Sequence, residues 1–316
     1  MIRNARIILA MLLVFGCIAA EGVAQQATIF PMLRAQLSGR AAGLAGATVA
    51  MTDDASMLMV NPASLATVQQ RVVTATFLKH VLDINSGFAV YADTLSDVSS
   101  WAVSASVMSF GDFVRTDRQG TATGSFVAND VALAATYASH IDTLITYGVT
   151  AKLLYSTLDN MQSTAVAVDA GILIQIPRSR TNVGLSILNA GTQLSTYDGV
   201  TDRLPLDVRI GVNHRLKGLP LLVQASINHL ADDVDSFGDR FLNFSVAGEL
   251  YIGSAVQARL GYDNSTRNTS DVNVATQLTG LSGGLGVVLN DLRFDYALGS
   301  MGSAALLHRL TAQITL

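Results

Sequence analysis

The sequence predicts an all-β fold: a transmembrane antiparallel β-barrel of about fourteen strands with a small N-terminal hatch. Three observations predict it. From Arg71 onward, apolar and polar residues alternate with a period of two. Several alternating runs reach about ten residues or more, against about five or six in soluble sheets. The connections between the runs are long at one end and short at the other, as in outer-membrane barrels.

Composition fits this class. Of 316 residues, only 14% are charged and 50% are hydrophobic. A soluble domain carries about 25% charged residues. After the leader, no run approaches the roughly 20 apolar residues of a spanning helix. The apolar residues are interleaved with Gly, Ser, Thr and Asn, as expected when one face of each strand meets lipid. The net charge is −4 and the basic residues are scattered, so nothing marks a nucleic-acid partner.

The N-terminus reads as a secretory leader. Arg3 and Arg6 are basic, Ile7 to Ala20 is apolar, and Gly22-Val23-Ala24 supplies small residues for cleavage. This divides the chain into a signal peptide at 1–24, a hatch at 25–70 and a barrel at 71–316. It implies export to the bacterial outer membrane, with outer-membrane lipids and lipopolysaccharide as surroundings. Val14-Phe15-Gly16-Cys17 offers a weaker lipoprotein reading. The single cysteine lies in the leader, so the exported chain has no disulfide and no cysteine-based metal site.

Within the hatch, Gly39 to Ala47 is rich in small residues, which let backbones approach closely in a confined lumen. Asp53-Asp54-Ala55 follows, and its acids suit caps and turns. Pro62 biases Asn61 away from helix, so Asn61-Pro62-Ala63 reads as a turn.

Next come the strands. Between Ile145 and Tyr155, odd positions are Ile, Tyr, Val, Ala, Leu and Tyr, while even positions are mostly small or polar. Leu206 to Asn213 sets Leu206, Val208, Ile210 and Val212 against Asp207, Arg209, Gly211 and Asn213. Leu221 to His229 and Leu242 to Ile252 repeat the pattern. Strands are expected near 71–80, 84–92, 100–110, 128–139, 145–157, 163–175, 181–189, 205–215, 219–229, 240–252, 255–262, 281–288, 291–298 and 307–316. The count is even, as bacterial barrels require. The connections 111–127, 190–204, 230–239, 263–280 and 299–306 are the long set, assigned to the cell surface. A soluble sandwich also alternates, but has no need for one-sided long loops. The scarcity of aromatics, 6% of residues, runs against the aromatic girdles of such barrels.

The motif order resembles a known family. Gly39-Arg40-Ala41-Ala42-Gly43-Leu44-Ala45-Gly46-Ala47, then Asp53-Asp54-Ala55 and Asn61-Pro62-Ala63-Ser64-Leu65, look like the start of PorV/PorQ-type proteins. These are a branch of the FadL-like barrels. Asp83 to Ala89, Phe110-Gly111-Asp112-Phe113 and Ser226 to Leu230 are most similar to the PorQ branch. The resemblance implies a component of the type IX secretion system that anchors a partner of the cell-surface attachment complex. The Asn-Pro-Ala element also resembles the hatch of FadL transporters, which implies an alternative: passage of hydrophobic small molecules.

No catalytic or metal-binding constellation stands out. There is no phosphate loop and no His-Glu-x-x-His motif, and the five histidines are isolated. No cofactor and no enzymatic activity are expected. Candidate partner contacts are loop charges: Arg115, Asp117 and Arg118 in 111–127, and Arg267 and Asp271 in 263–280. Long loops carry function more often than the elements they join.

Overall fold

A computed structural model describes residues 29–80, 83–234, 236–269, 278–300 and 306–316. The leader and Asp271 lie outside the described residues. Fourteen antiparallel strands close into one barrel, with β1 hydrogen-bonded to β14. They are β1 (Val72–Lys79), β2 (Asn85–Ser96), β3 (Ser99–Thr116), β4 (Ala122–His140), β5 (Ile145–Leu158), β6 (Met161–Ile176) and β7 (Thr181–Ser195). The second half is β8 (Asp207–Arg215), β9 (Leu221–Ile227), β10 (Phe244–Ile252), β11 (Val256–Asp263), β12 (Leu281–Leu289), β13 (Leu292–Ser300) and β14 (Leu306–Thr315). The closing seam runs in register from Val72 opposite Thr315 to Lys79 opposite His308. Closure gives every strand two hydrogen-bonded neighbours.

Alternation decides which side chains meet lipid. In β5, Val149, Leu153 and Tyr155 face outward, while Thr146, Thr150, Lys152 and Ser156 are buried inside. In β8, Ile210 and Val212 point out, and Asp207, Arg209 and Asn213 point in. Val103, Leu133, Leu260, Leu285 and Leu310 extend the outward apolar surface around the wall. Such a band belongs in hydrocarbon. Two aromatic pairs stand near the short-turn end of β2–β5: Tyr91 packs on Trp101 at 5.6 Å and Tyr137 on Tyr147 at 6.4 Å.

Most strands coincide with the sequence reading, but β3, β4 and β7 run farther, β7 reaching Ser195 inside the expected loop 190–204, and the start of the expected strand 240–252 is the end of a short helix, Phe237–Leu242. The expected loop 111–127 is largely a hairpin extension, with Asp112 opposite Val127 and Phe113 opposite Phe126. Phe113 and Phe126 stack at 5.2 Å. Arg115 therefore sits on a strand opposite Gly124. Beyond the lipid, neither face needs a continuous apolar row, so the alternation fades although the ladder continues. The register shifts between Ser109 and Asp112, a bulge of the kind that bends a strand and re-aims its side chains.

A fourteen-strand wall encloses more space than its own side chains fill. Residues 29–68 fill it. They form short helical pieces at Pro31–Arg34, Gly39–Gly43, Ala55–Met59 and Pro62–Thr67. Each of the last three is capped from the side chain before it: Ser38 accepts from Ala41, Asp54 from Ser56 and Asn61 from Ala63. These caps satisfy amide donors that such short helices leave open.

The hatch and the luminal apolar patch as candidate functional site

Asn61, Pro62 and Ala63 are the seat of the hatch. Asn61 is fully buried. Its amide donates to the Val49 carbonyl at 2.9 Å and to the Ile172 carbonyl of β6 at 3.1 Å. Its side-chain oxygen accepts from Ala63 at 3.1 Å. One side chain thus closes the turn, ties two hatch segments and docks them on the wall. The wall answers with a notch. Gly148 and Gly171 stand opposite each other in β5 and β6. A β-carbon on Gly148 would collide with the Pro62 carbonyl, and one on Gly171 with the Asn61 side-chain oxygen. Wall side chains also serve the hatch backbone. Asn213 donates to the Ala50 carbonyl at 2.7 Å, Ser186 to Val60 at 2.8 Å and Arg309 to Gln36 at 2.7 Å.

A ring of alternating charge joins hatch to wall. Arg40 of the hatch grips Glu249 of β10 with two donors, at 3.0 and 2.7 Å. Glu249 also accepts from Arg259 of β11 at 2.8 Å. Arg259 reaches Asp295 of β13 at 2.7 Å, and Asp295 pairs with Arg293 at 2.9 Å. Arg293 and Arg40 then meet Asp54 of the hatch at 3.6 and 3.3 Å. Three guanidiniums and three carboxylates close the circle with no net charge. Burial alone would push the Asp54 carboxyl up. Arg293, Arg40 and the Ser56 hydrogen bonds override it and hold Asp54 below the usual carboxylate range. Burying charge is tolerable only with such pairing.

Polar side chains line much of the lumen, and apolar patches interrupt it: one, with Val72, Phe88, Val90 and Ala102 of the wall, packs on Leu58 and Leu65 of the hatch core, and a second lies nearer the long loops. In this long-loop half of the lumen, Met108, Ala132, Leu154, Ala165 and Ala167 turn apolar side chains inward. Ile29, Phe30, Met32 and Leu33 of the N-terminal segment cover this patch. Leu204 and Tyr197 reach it from the β7–β8 connection, and Tyr197 donates to Ser156 at 2.5 Å. The β3 bulge lies beside it, with Phe110 packed against the same cluster.

The surface charges do not form one site. Arg115 pairs with Asp159 in the β5–β6 turn. The Asp117 carboxylate accepts from the backbone of Gln119 at 2.9 Å and Thr121 at 2.8 Å, so it shapes the hairpin tip. Arg118 is exposed at that tip. Arg267 is exposed on the short helix Asn264–Thr269 between β11 and β12, nearly half the ring away. The ring charges Glu249, Arg259, Arg293 and Asp295 were not singled out in the sequence. Their signal was available: acids and bases at inward positions of alternating strands.

No protein-family model matches the chain, and no curated protein matches it in sequence. Solved structures do match in fold. The toluene transporter TbuX of Ralstonia pickettii shares 14% identity and a TM-score of 0.55, covering 88% of this chain and 96% of its own. A FadL homologue of Pseudomonas aeruginosa gives 13% and 0.56, covering 88% and 98%. The toluene transporter TodX of Pseudomonas putida gives 11% and 0.57, covering 88% and 96%. At these identities the likeness is one of architecture: this chain has the plugged fourteen-strand fold of FadL-type outer-membrane transporters.

Proposed function

We propose that this protein is an outer-membrane passage for small hydrophobic molecules, held shut by its hatch. The observation that carries the proposal is the luminal apolar patch in the long-loop half, covered by Ile29, Phe30, Met32 and Leu33 at the start of the described N-terminal segment. An apolar wall in a water-filled barrel is unfavourable unless something apolar covers it. The chain's own N-terminal segment does so at rest, and a hydrophobic ligand would take its place. The fold likeness to hydrocarbon transporters supports the same reading.

The test is uptake across an asymmetric membrane with a lipopolysaccharide outer leaflet, with toluene and a long-chain fatty acid as probes. The protein should accelerate entry of at least one. Glucose entry should stay at background. Equal rates with and without protein would refute the proposal.

A second reading keeps the type IX secretion role, an anchor for a surface-complex protein. The order of PorQ-like motifs favours it, and the β3–β4 hairpin offers a protein-sized ledge beyond the lipid. Loss of cargo from the cell surface on deletion of the gene, with hydrocarbon uptake unchanged, would select this reading.

A further inference from the structure

The short-turn end of the lumen holds a polar recess of about 390 Å³ on the far side of the hatch from the apolar patch around Met108 and Leu154. Its walls include Arg180, Asn182, Asn213, Arg215 and Tyr251, and Thr52 and Asp53 of the hatch form its floor. Arg180 and Arg215 are cross-strand neighbours, joined by a hydrogen bond from the Arg215 amide to the Arg180 carbonyl at 3.0 Å. Asn182 stands opposite Asn213 one step farther in. By strand alternation Asn182, Asn213 and Arg215 share the parity of Gly184, Ser186 and Gly211, which face the hatch rather than lipid, and Arg180 of the β6–β7 turn lines the recess beside them. Both arginines line the recess and are exposed at its mouth.

Their charge is uncompensated. Arg40 and Arg293 also border the recess, but their charge is spent within the closed ring. Among the described residues, Arg180 and Arg215 form no ion pair. Arg215 is instead held over the Tyr251 ring at 4.3 Å. Asp53 is the one carboxylate outside the ring that lines the recess, leaving a surplus of one positive charge. Two guanidiniums at one mouth, with amide side chains behind them and a volume in the range of small-molecule sites, have the make-up of an oxyanion receptor.

We infer that this recess binds a small oxyanion, a phosphate or carboxylate group, between Arg180 and Arg215. The short-turn end is the periplasmic one in outer-membrane barrels, so the ligand would come from the periplasm. This holds whether or not the barrel passes hydrophobic molecules.

The experiment is calorimetric titration of the full protein in nanodiscs at low ionic strength. The probes are inorganic phosphate, succinate and, as a control, chloride. Saturable binding of phosphate or succinate with a Kd of about 1 mM or tighter is expected, and which of the two binds better identifies the anion class. In the double variant Arg180→Gln/Arg215→Gln, affinity should fall at least about tenfold while the barrel still shows its folded gel mobility. No saturable binding of either probe, equal binding of chloride, or unchanged affinity in the folded double variant would overturn the inference.

Discussion

Arg40 shows most clearly how a single residue ties the hatch to the wall. It reaches two buried carboxylates, one on the wall and one in its own hatch. Replacing it by methionine would strand Glu249 and Asp54 with half their partners. Breaking a buried pair from one side costs about 3–5 kcal/mol. Arg40→Met is therefore expected to loosen the hatch, seen as faster proteolytic cleavage between residues 29 and 68 and as new single-channel conductance. Arg71→Met is the control. Its pair with Asp93 lies at the surface, where solvent screens it, and its loss should change neither readout. Asp54 adds a pH dependence. A carboxyl with a depressed folded pKa stabilises fully above its unfolded value, and that stability is lost as pH falls toward the folded one. Hatch protection should hold at neutral pH and decline below about pH 4, whereas Asp54→Asn should start weaker and show a flatter decline. Asn61 was legible from sequence because Asn-Pro carries a local turn signal. Arg40 and its wall partners were not, because their pairing depends on which strands become neighbours across more than two hundred residues of chain.

Among the elements, strands were read well where lipid enforces alternation. Val149, Leu153 and Tyr155 face out and Thr150 and Lys152 face in, as the period of two requires. Reading failed where that constraint stops. The 111–127 segment looked like a loop because its residues mix Gly, Asp and Arg, yet it pairs through Thr116 opposite Ala122. Its upper rungs, with Asp117 folding the tip, contribute no residue to the lumen clusters around the hatch. Removing residues 114–125 and closing the gap with a tight turn should leave barrel assembly intact. Heat-modifiable gel mobility checks this, and a variant that no longer shifts would show the hairpin to be part of the folding core. The hatch elements were harder to read. Their helical pieces are four to six residues each, too short for a helical period to register, and they hold shape because the wall supplies their hydrogen bonds.

The whole molecule is built from two opposite solvation problems. Outside, the wall must be apolar; inside, it must serve a hatch full of backbone donors and acceptors. Leu153 faces lipid, opposite Leu133 and Val166 on its neighbours. Leu153→Arg should cost about 2–4 kcal/mol if this row lies near the bilayer midplane, measured as a lowered denaturant midpoint for unfolding from vesicles. The apolar patch around Met108 and Leu154 inverts that logic, since it turns hydrocarbon-like side chains toward the lumen. No periodicity announces it: inward Ala and Leu read as ordinary small-face residues until the barrel closes and the Ile29–Leu33 segment lands on them. The most direct test of the account is photolabelling in nanodiscs with a diazirine-bearing monoaromatic probe, mapped by mass spectrometry with and without excess toluene. The expected result is toluene-sensitive label on Phe30, Met108 and Leu154. Label confined to outward residues such as Leu133 and Leu153, insensitive to toluene, would contradict it.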